Sequence, residues 1–347
     1  MRGTPASGKS ILARLLFLYY RAQDVPAILI KSWPRSGHGA YAPVVVQEAK
    51  DAGYSFITHD NLDDANIVIL LDEAQMTYSN DSLWLGLIKM QSNAQSGPRI
   101  ALFSSYGSPS GGPTETTAGS PLAFLDIRKR VSITPSPLPH APQVSLFYSR
   151  DEFDDVVSRH CQDQRFFLEL NEDARDYIFN LTNGHPGSVD CVIVVLQEVC
   201  SWDSNSSACT RSNISNLDQM FHSELKSGKI INSTEVEAIF DRKSEAFGYL
   251  LYSPAFRSFP SRRCQRLSSL AVRALRRALA EGNIPRDLSD EGIRICYEEG
   301  WLHSEALDHE ATEVVCFLPT KLHAKLAQFC SCSPIWNPPS LIQETGM

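Results

Sequence analysis

The octapeptide Gly3-Thr4-Pro5-Ala6-Ser7-Gly8-Lys9-Ser10 constrains this chain more than anything else in it. It fits G-x-x-x-x-G-K-[ST] at every fixed position, which chance alone gives in about one chain in a hundred of this length. Glycine lets a backbone wrap an anion at a distance where a Cβ would intrude. N–H groups of such a loop, and of the helix that follows, then converge on phosphate oxygens. Lys9 is the residue expected to reach β- and γ-phosphates, and the Ser10 hydroxyl the one expected to ligate Mg²⁺. Thr4, Pro5, Ala6 and Ser7 form the span between the glycines, and Ile11 opens the following helix. Residues 11–18 are apolar on most helical faces, so a buried helix beneath the loop is expected. The ligands this predicts are ATP and Mg²⁺.

A second motif follows at a workable distance. Residues 65–71 (ANIVILL) are a continuous aliphatic run, suited to a parallel strand covered on both faces. The run ends in Asp72-Glu73, and ligands of open parallel sheets bind outside the carboxyl ends of strands. Asp72 is expected to hold Mg²⁺ through water, and Glu73 to polarise an attacking water as general base. A pair of carboxylates also suits a solvated strand end, but the preceding loop favours the chemical reading. Between the motifs, residues 25–30 read as a strand and 44–50 as a helix.

Residues 99–103 read as a third strand, ending in Ser104-Ser105. A polar residue there can position the lytic water and sense the γ-phosphate; Ser104 or Ser105 is the candidate, beside the plainer reading of a serine turn. Residues 107–121 are rich in Gly, Ser, Thr and Pro and read as a flexible loop near the site. Beyond them, Arg128 or Arg130 suits an arginine finger, in cis or toward a neighbouring subunit, although a basic strand entry is more commonly plain surface. A proline-rich stretch at 135–142 precedes a strand-like run at 144–148. Ser149 and Glu152 then form a capping-box pattern that marks a passage from sheet to helices.

The remainder reads as mostly helical. Asn171 is a predicted N-cap for a helix carrying Ala174, Ile178 and Leu181 on one face. That helix stops at Gly184-His185-Pro186-Gly187, where Gly184 and Pro186 are candidates for contact with the nucleotide base or for a hinge, beside the plainer reading of a loop between helices. Residues 189–200 form a further apolar helix, and 201–216 a polar linker. An arginine-rich amphipathic helix is expected at 262–281, and a short one at 291–299. Strands at 301–302 and 314–318 flank an acidic turn at 308–310, and a last helix covers 320–329. Helices followed by a small hairpin suggest a winged helix. Asp290, Glu291, Glu298 and Glu299 lie on the helix that would read DNA, and four carboxylates oppose phosphate binding. The predicted domains are 1–148, 149–235 and 236–331, with a tail at 332–347.

Composition narrows the partners. The 347 residues, 43% hydrophobic and 21% charged, suit two or three globular domains. Forty acidic residues against 32 basic ones leave a formal charge of −8, without a global basic footprint for nucleic acid. No run reaches the length of a membrane span, and the first residues lack the order of a secretory leader. A cytosolic or nuclear protein is expected, with no membrane partner. Nine scattered cysteines without a C-x-x-C pair read as reduced thiols. Self-association or a protein partner stays open.

The order of P-loop, acidic strand end, Gly-x-Pro turn and winged helix resembles STAND-type and other AAA-like ATPases. Residues 70–75 (LLDEAQ), Leu83-Trp84, 100–109 (IALFSSYGSP), 146–153 (LFYSRDEF) and 182–189 (TNGHPGSV) resemble the ATPase module of Crinkler-type proteins of fungi and oomycetes. The resemblance spans residues 3–330 and implies an ATP-binding switch within a larger effector. The fold class it supports is α/β, a P-loop NTPase of ASCE type, followed by a helical region and a winged-helix-like domain. One departure matters. In P-loop folds a central strand precedes the loop and flanks the acidic strand, yet only Met1 and Arg2 precede Gly3. The first strand is therefore expected to be missing, and the chain to begin inside its natural domain.

Overall fold

The computed structural model describes residues 1–34, 39–91, 96–105, 131–135, 144–161, 168–201, 230–241, 246–256, 259, 268–307 and 313–332. The chain divides into two compact units, Met1–Leu146 with Asn283–Phe317, and Phe147–Gly282 with Leu318–Met347. Arg128 and Arg130, the stretches 107–121 and 308–310, and residues 202–216 of the expected linker lie outside the described residues.

The first unit is built on a parallel sheet in the order β1-β2-β3. Its strands are β1 (Ala27–Ile30), β2 (Val68–Leu71) and β3 (Arg99–Leu102), in the register Ile28↔Ile69↔Ile100. Parallel strands must be covered on both faces, and alternate side chains serve alternate faces. Ile28, Ile30, Ile69 and Leu71 point one way, onto Val45, Val46 and Ala49 of helix α2 (Tyr41–Asp51) and onto Leu83, Trp84, Leu87 and Ile88. Ala27, Val68 and Leu70 point the other way, onto Phe103 and Ala13. Each buried Val, Leu or Ile contributes about 1.5–3 kcal/mol, so this alternation holds the sheet between its two layers. Leu83 and Trp84 lie in a π-helical segment, Ser82–Ile88, that runs on into a helical turn α3 (Lys89–Gln91). Trp84 is fixed there by an indole N–H donated to Thr77 Oγ1 at 3.0 Å and an edge contact with Tyr78.

Helix α1 (Lys9–Ala22) covers the second face with Ala13, Leu12, Leu16, Phe17 and Tyr20. It is not buried all round, as the apolar sequence suggested. Ile11, Leu15, Leu18 and Tyr19 are 62, 57, 50 and 59% exposed. One sheet covers only one side of a helix, and α1 has apolar residues on two.

Among the described residues no strand element precedes the loop, and Arg2 pairs only through isolated bridges. Arg2 bridges in parallel to both Ser104 and Ser132. Its N–H donates to Val131 O at 2.8 Å, Ile133 N–H donates to Arg2 O at 2.9 Å, and Ser104 N–H donates to Met1 O at 3.0 Å. Residues 1–3 thus pair by a few backbone hydrogen bonds with residues 104 and 131–133. They do not flank β2, whose two edges are taken by β1 and β3.

A second, antiparallel sheet in the same unit has the order β4-β6-β5. It comprises β4 (Asn283–Pro285), β5 (His303–Ala306) and β6 (Val314–Phe317). Strand β4 was not foreseen, and the strand expected at 301–302 begins two residues later, at His303. Trp301 and Leu302 are buried instead.

The second unit is helical, with α4 (Arg150–Cys161), α5 (Glu172–Thr182), α6 (Pro186–Ser201), α7 (Ser233–Ile239), α8 (Ala246–Leu250), α9 (Ser268–Glu281) and α11 (Lys321–Cys332); α10 (Glu291–Glu298) belongs to the first unit. The predicted caps form. Ser149 N–H donates to Glu152 Oε2 at 2.8 Å, Glu152 N–H donates to Ser149 Oγ at 3.3 Å, and Ala174 N–H donates to Asn171 Oδ1 at 2.8 Å. Residues 144–148 form no strand, because their backbone pairs at single points rather than along a neighbour: Leu146 N–H donates to Ile133 O and Tyr148 N–H to Gly184 O. Among the described residues no helix is long and apolar enough to cross a membrane.

Gly184 leaves no room for a side chain. Its φ is +68°, and a Cβ there would lie 2.3 Å from Tyr148 O. Gly184→Ala is expected to lower stability by about 2 kcal/mol or more, read as a lower urea midpoint. Gly248→Ala, in helix α8 with open space around it, is expected to raise that midpoint slightly.

Candidate nucleotide-binding site

The loop at residues 3–8 is shaped by two left-handed residues, Ala6 at φ 55° and Gly8 at φ 96°. Ser7 N–H closes back on Thr4 O at 3.3 Å, and Leu12 N–H on Gly8 O at 2.9 Å starts the helix. Gly3 has no room for a side chain; a Cβ would stand 2.6 Å from Ile133 Cγ1 and 2.7 Å from Ser7 Oγ. The sequence argument for glycine at position 3 was approach to phosphate. The structure adds a second reason, the contact with Ile133.

Lys9 is the centre of the site. Its side chain is buried, and Nζ donates to Gly3 O at 2.9 Å and Thr4 O at 2.7 Å. Burial lowers its pKa to about 8, while the charges of Glu73 and Asp72 act in the opposite direction. Ser7 Oγ is fully buried without a hydrogen-bond partner, so the loop holds an unsatisfied polar atom. Ser10 is exposed on the first turn of α1.

Asp72 and Glu73 follow β2 directly. Asp72 is buried, and its Oδ1 accepts the Glu73 N–H at 3.0 Å. Glu73 has φ 50°, a left-handed conformation that is costly for a residue with a Cβ. That turn leaves its side chain exposed. Gln75 ties it down: Nε2 donates to Glu73 Oε2, and Oε1 accepts Ser105 N–H at 3.2 Å. Ala74 N–H donates to Phe103 O at 2.8 Å. The ends of β2 and β3 are thereby joined through one glutamine. Ser104 is buried beside residues 1–3, with its N–H on Met1 O and its carbonyl accepting Gly3 N–H at 3.2 Å.

The structure therefore brings Gly3, Thr4, Pro5, Ala6, Ser7, Gly8, Lys9, Ser10 and Ile11 into one loop-and-helix start. Asp72 and Glu73 lie within electrostatic reach of Lys9, and Ser104 at the strand end beside the loop. Gly184 and Pro186 belong to the second unit, at the end of α5 and the start of α6. Arg130 lies outside the described residues.

Sequence reading missed four participants. Arg2, just before the loop, donates through Nη1 to Ser304 Oγ at 3.1 Å and through Nη2 to Ser304 O. His303 is buried with Nε2 3.3 Å from Ser132 Oγ. Burial, then the charges of Arg2 and Lys9, hold its pKa well below the usual histidine value. Gly300, at φ +75°, receives Pro5: a Cβ there would lie 2.7 Å from Pro5 Cδ. Gln75 is the fourth. Ser304 of β5 thus holds Arg2 just before the loop, and Gly300, before β5, meets the loop at Pro5. Of the four acids expected to repel DNA, Asp290 is occupied as a helix cap, its Oδ1 accepting Gly292 N–H at 2.8 Å.

The residues expected to hold a metal, Asp72 and Ser10, offer one carboxylate and one hydroxyl. Among the described residues no group of three or more His, Cys, Asp and Glu can hold an ion alone. Hard oxygens in small number fit Mg²⁺, which keeps waters and takes phosphate oxygens.

No family profile matches the sequence, and no curated protein matches it. Among solved structures, the chain is similar to the RuvB Holliday junction branch migration motor of Thermotoga maritima, at 13% identity and a TM-score of 0.36, over 87% of this chain and 80% of that one. It is similar also to a structure of Drosophila ORC bound to DNA, at 11% identity and a TM-score of 0.36, over 96% of this chain and 81% of that one. Scores of this size carry no weight for fold or function.

His303 makes a pH prediction. Its folded pKa lies below the unfolded value near 6.5, so the unfolded chain takes up a proton first as pH falls. Stability is expected to decline below about pH 6.5. His303→Asn is expected to show a smaller decline in thermal midpoint between pH 7.5 and 5.5 (range set about the histidine pKa), with buried His323 of the second unit supplying part of what remains.

Proposed function

We propose that this chain is a P-loop NTPase that binds ATP with Mg²⁺ and hydrolyses it as a conformational switch. The observation that carries the reading is Lys9. A buried ammonium held by two loop carbonyls, beside the carboxylates that end β2, is a cation waiting for an anion. Phosphate in the loop takes over from Gly3 O and Thr4 O as the partner of Nζ. Loop N–H groups and the start of α1 supply further donors. Ser10 and Asp72 hold Mg²⁺, which neutralises charge on the phosphates. Glu73 accepts the proton of the attacking water, and Gln75 and Ser104 or Ser105 keep the two strand ends in register around it. Gly184 and Pro186 contact the base or act as a hinge, and Arg130 serves as the finger.

The finer assignment is to the ATPase modules of Crinkler-type effectors, on the motifs quoted above. It carries the domain boundaries 1–148, 149–235 and 236–331, with 332–347 as a tail, and a winged helix used for packing rather than DNA reading. A second reading, a nucleotide-gated interaction module with little turnover, is favoured by one observation: the Glu73 carboxylate is already engaged by Gln75.

Phosphate release separates the two. Lys9→Ala is expected to abolish ATP binding, and Glu73→Gln to keep binding while lowering turnover by about 10²-fold or more. Full turnover in Glu73→Gln would remove Glu73 as the base. A parent chain that binds ATP and releases no phosphate would establish the switch without hydrolysis.

Affinity should also depend on pH in a defined sense. Free Lys9 loses its proton near pH 8, while phosphate in the loop favours the charged form and raises the pKa. ATP affinity is therefore expected to be flat below about pH 8 and to fall up to about tenfold per pH unit above it. Calorimetric titrations at stepped pH check this, and Lys9→Arg is expected to flatten the slope.

A further inference from the structure

Helix α1 has a second apolar face that is exposed among the described residues. Ile11, Leu15 and Leu18 are half or more exposed, and Ala22 is exposed with them. Their spacing of four, three and four residues is a coiled-coil seam, the d-a-d-a positions of two heptads. Tyr19, 59% exposed, borders the seam on one side. Arg14 and Arg21, both exposed, border it on the other and occupy successive g positions. The helix has three basic residues, Lys9, Arg14 and Arg21, and no acidic one; the first carboxylate after it is Asp24. This stands against a chain whose overall charge is −8.

We propose that this face of α1 docks an acidic amphipathic helix of a partner protein. Such a helix would lay apolar residues at i, i+3/i+4 and i+7 into the seam and carry Glu or Asp flanking them, opposite Arg14 and Arg21. Charge sets the choice of occupant. A second copy of α1 in antiparallel register would oppose arginine to arginine. In parallel register it would offer Tyr19 and Leu12, never a carboxylate. Apolar side chains at this spacing select a helix with matching knobs, which the smooth surface of a bilayer does not present.

The test uses the full chain and two fluorescent helical peptides of about three heptads, both with Leu at a and d. One carries Glu at e and g, the other Lys. The Glu peptide is expected to bind about fivefold or more tightly than the Lys peptide by anisotropy at low salt. Leu15→Gln with Leu18→Gln is expected to weaken it about tenfold or more, and both side chains are exposed, so circular dichroism should be unchanged. Arg14→Glu with Arg21→Glu is expected to reverse the preference. Equal binding of the two peptides, or binding indifferent to Leu15 and Leu18, overturns the proposal. So does a concentration-dependent dimer in sedimentation that Leu15→Gln with Leu18→Gln abolishes, which assigns the seam to a second copy. Binding to phosphatidylserine vesicles in preference to the Glu peptide overturns it as well.

Discussion

The buried ammonium of Lys9 is the interaction on which the loop's shape depends. A charge removed from water needs compensation, and here two main-chain oxygens of the loop supply it, with two carboxylates at greater range. Further along the same loop the backbone passes through left-handed conformations, which Gly8 accepts freely and Ala6 at some cost. The ligand-free loop is thus organised around its own lysine. One hydroxyl inside it, Ser7 Oγ, has no hydrogen-bond partner.

Around that centre the sheet was legible from side-chain type alone. Residues 68–71 are continuous aliphatics because both faces of β2 are covered, and β1 repeats the pattern. The structure trims these strands without moving them. Helix caps were equally readable, since Ser149 with Glu152 and Asn171 act over three residues, within the reach of local sequence. The loop was readable because its glycines and lysine are a fixed local pattern.

What escaped reading depends on residues far apart in the chain. Arg2 has no motif, and its role comes from Ser304. His303 looks like any core histidine until Ser132, Arg2 and Lys9 surround it. Gln75 gains meaning only when β2 and β3 lie side by side and bring Ser105 within reach. Helix α1 misled for a different reason. Apolar residues on most faces suggest burial, but a helix on one sheet has a single covered side. The run at 144–148 misled because strand-like composition does not supply a neighbour to pair with.

The seating of Pro5 against Gly300 has an implication for how such a chain can drift. Motif notation treats the four positions between the glycines as free, and nearby in sequence nothing contradicts it. In this molecule position 5 is bounded by a residue almost the whole chain away, one that tolerates no Cβ. A larger residue at either position would meet the other. The two sites should therefore change together or not at all in descendants of this sequence, a covariation linking the loop to the turn before β5.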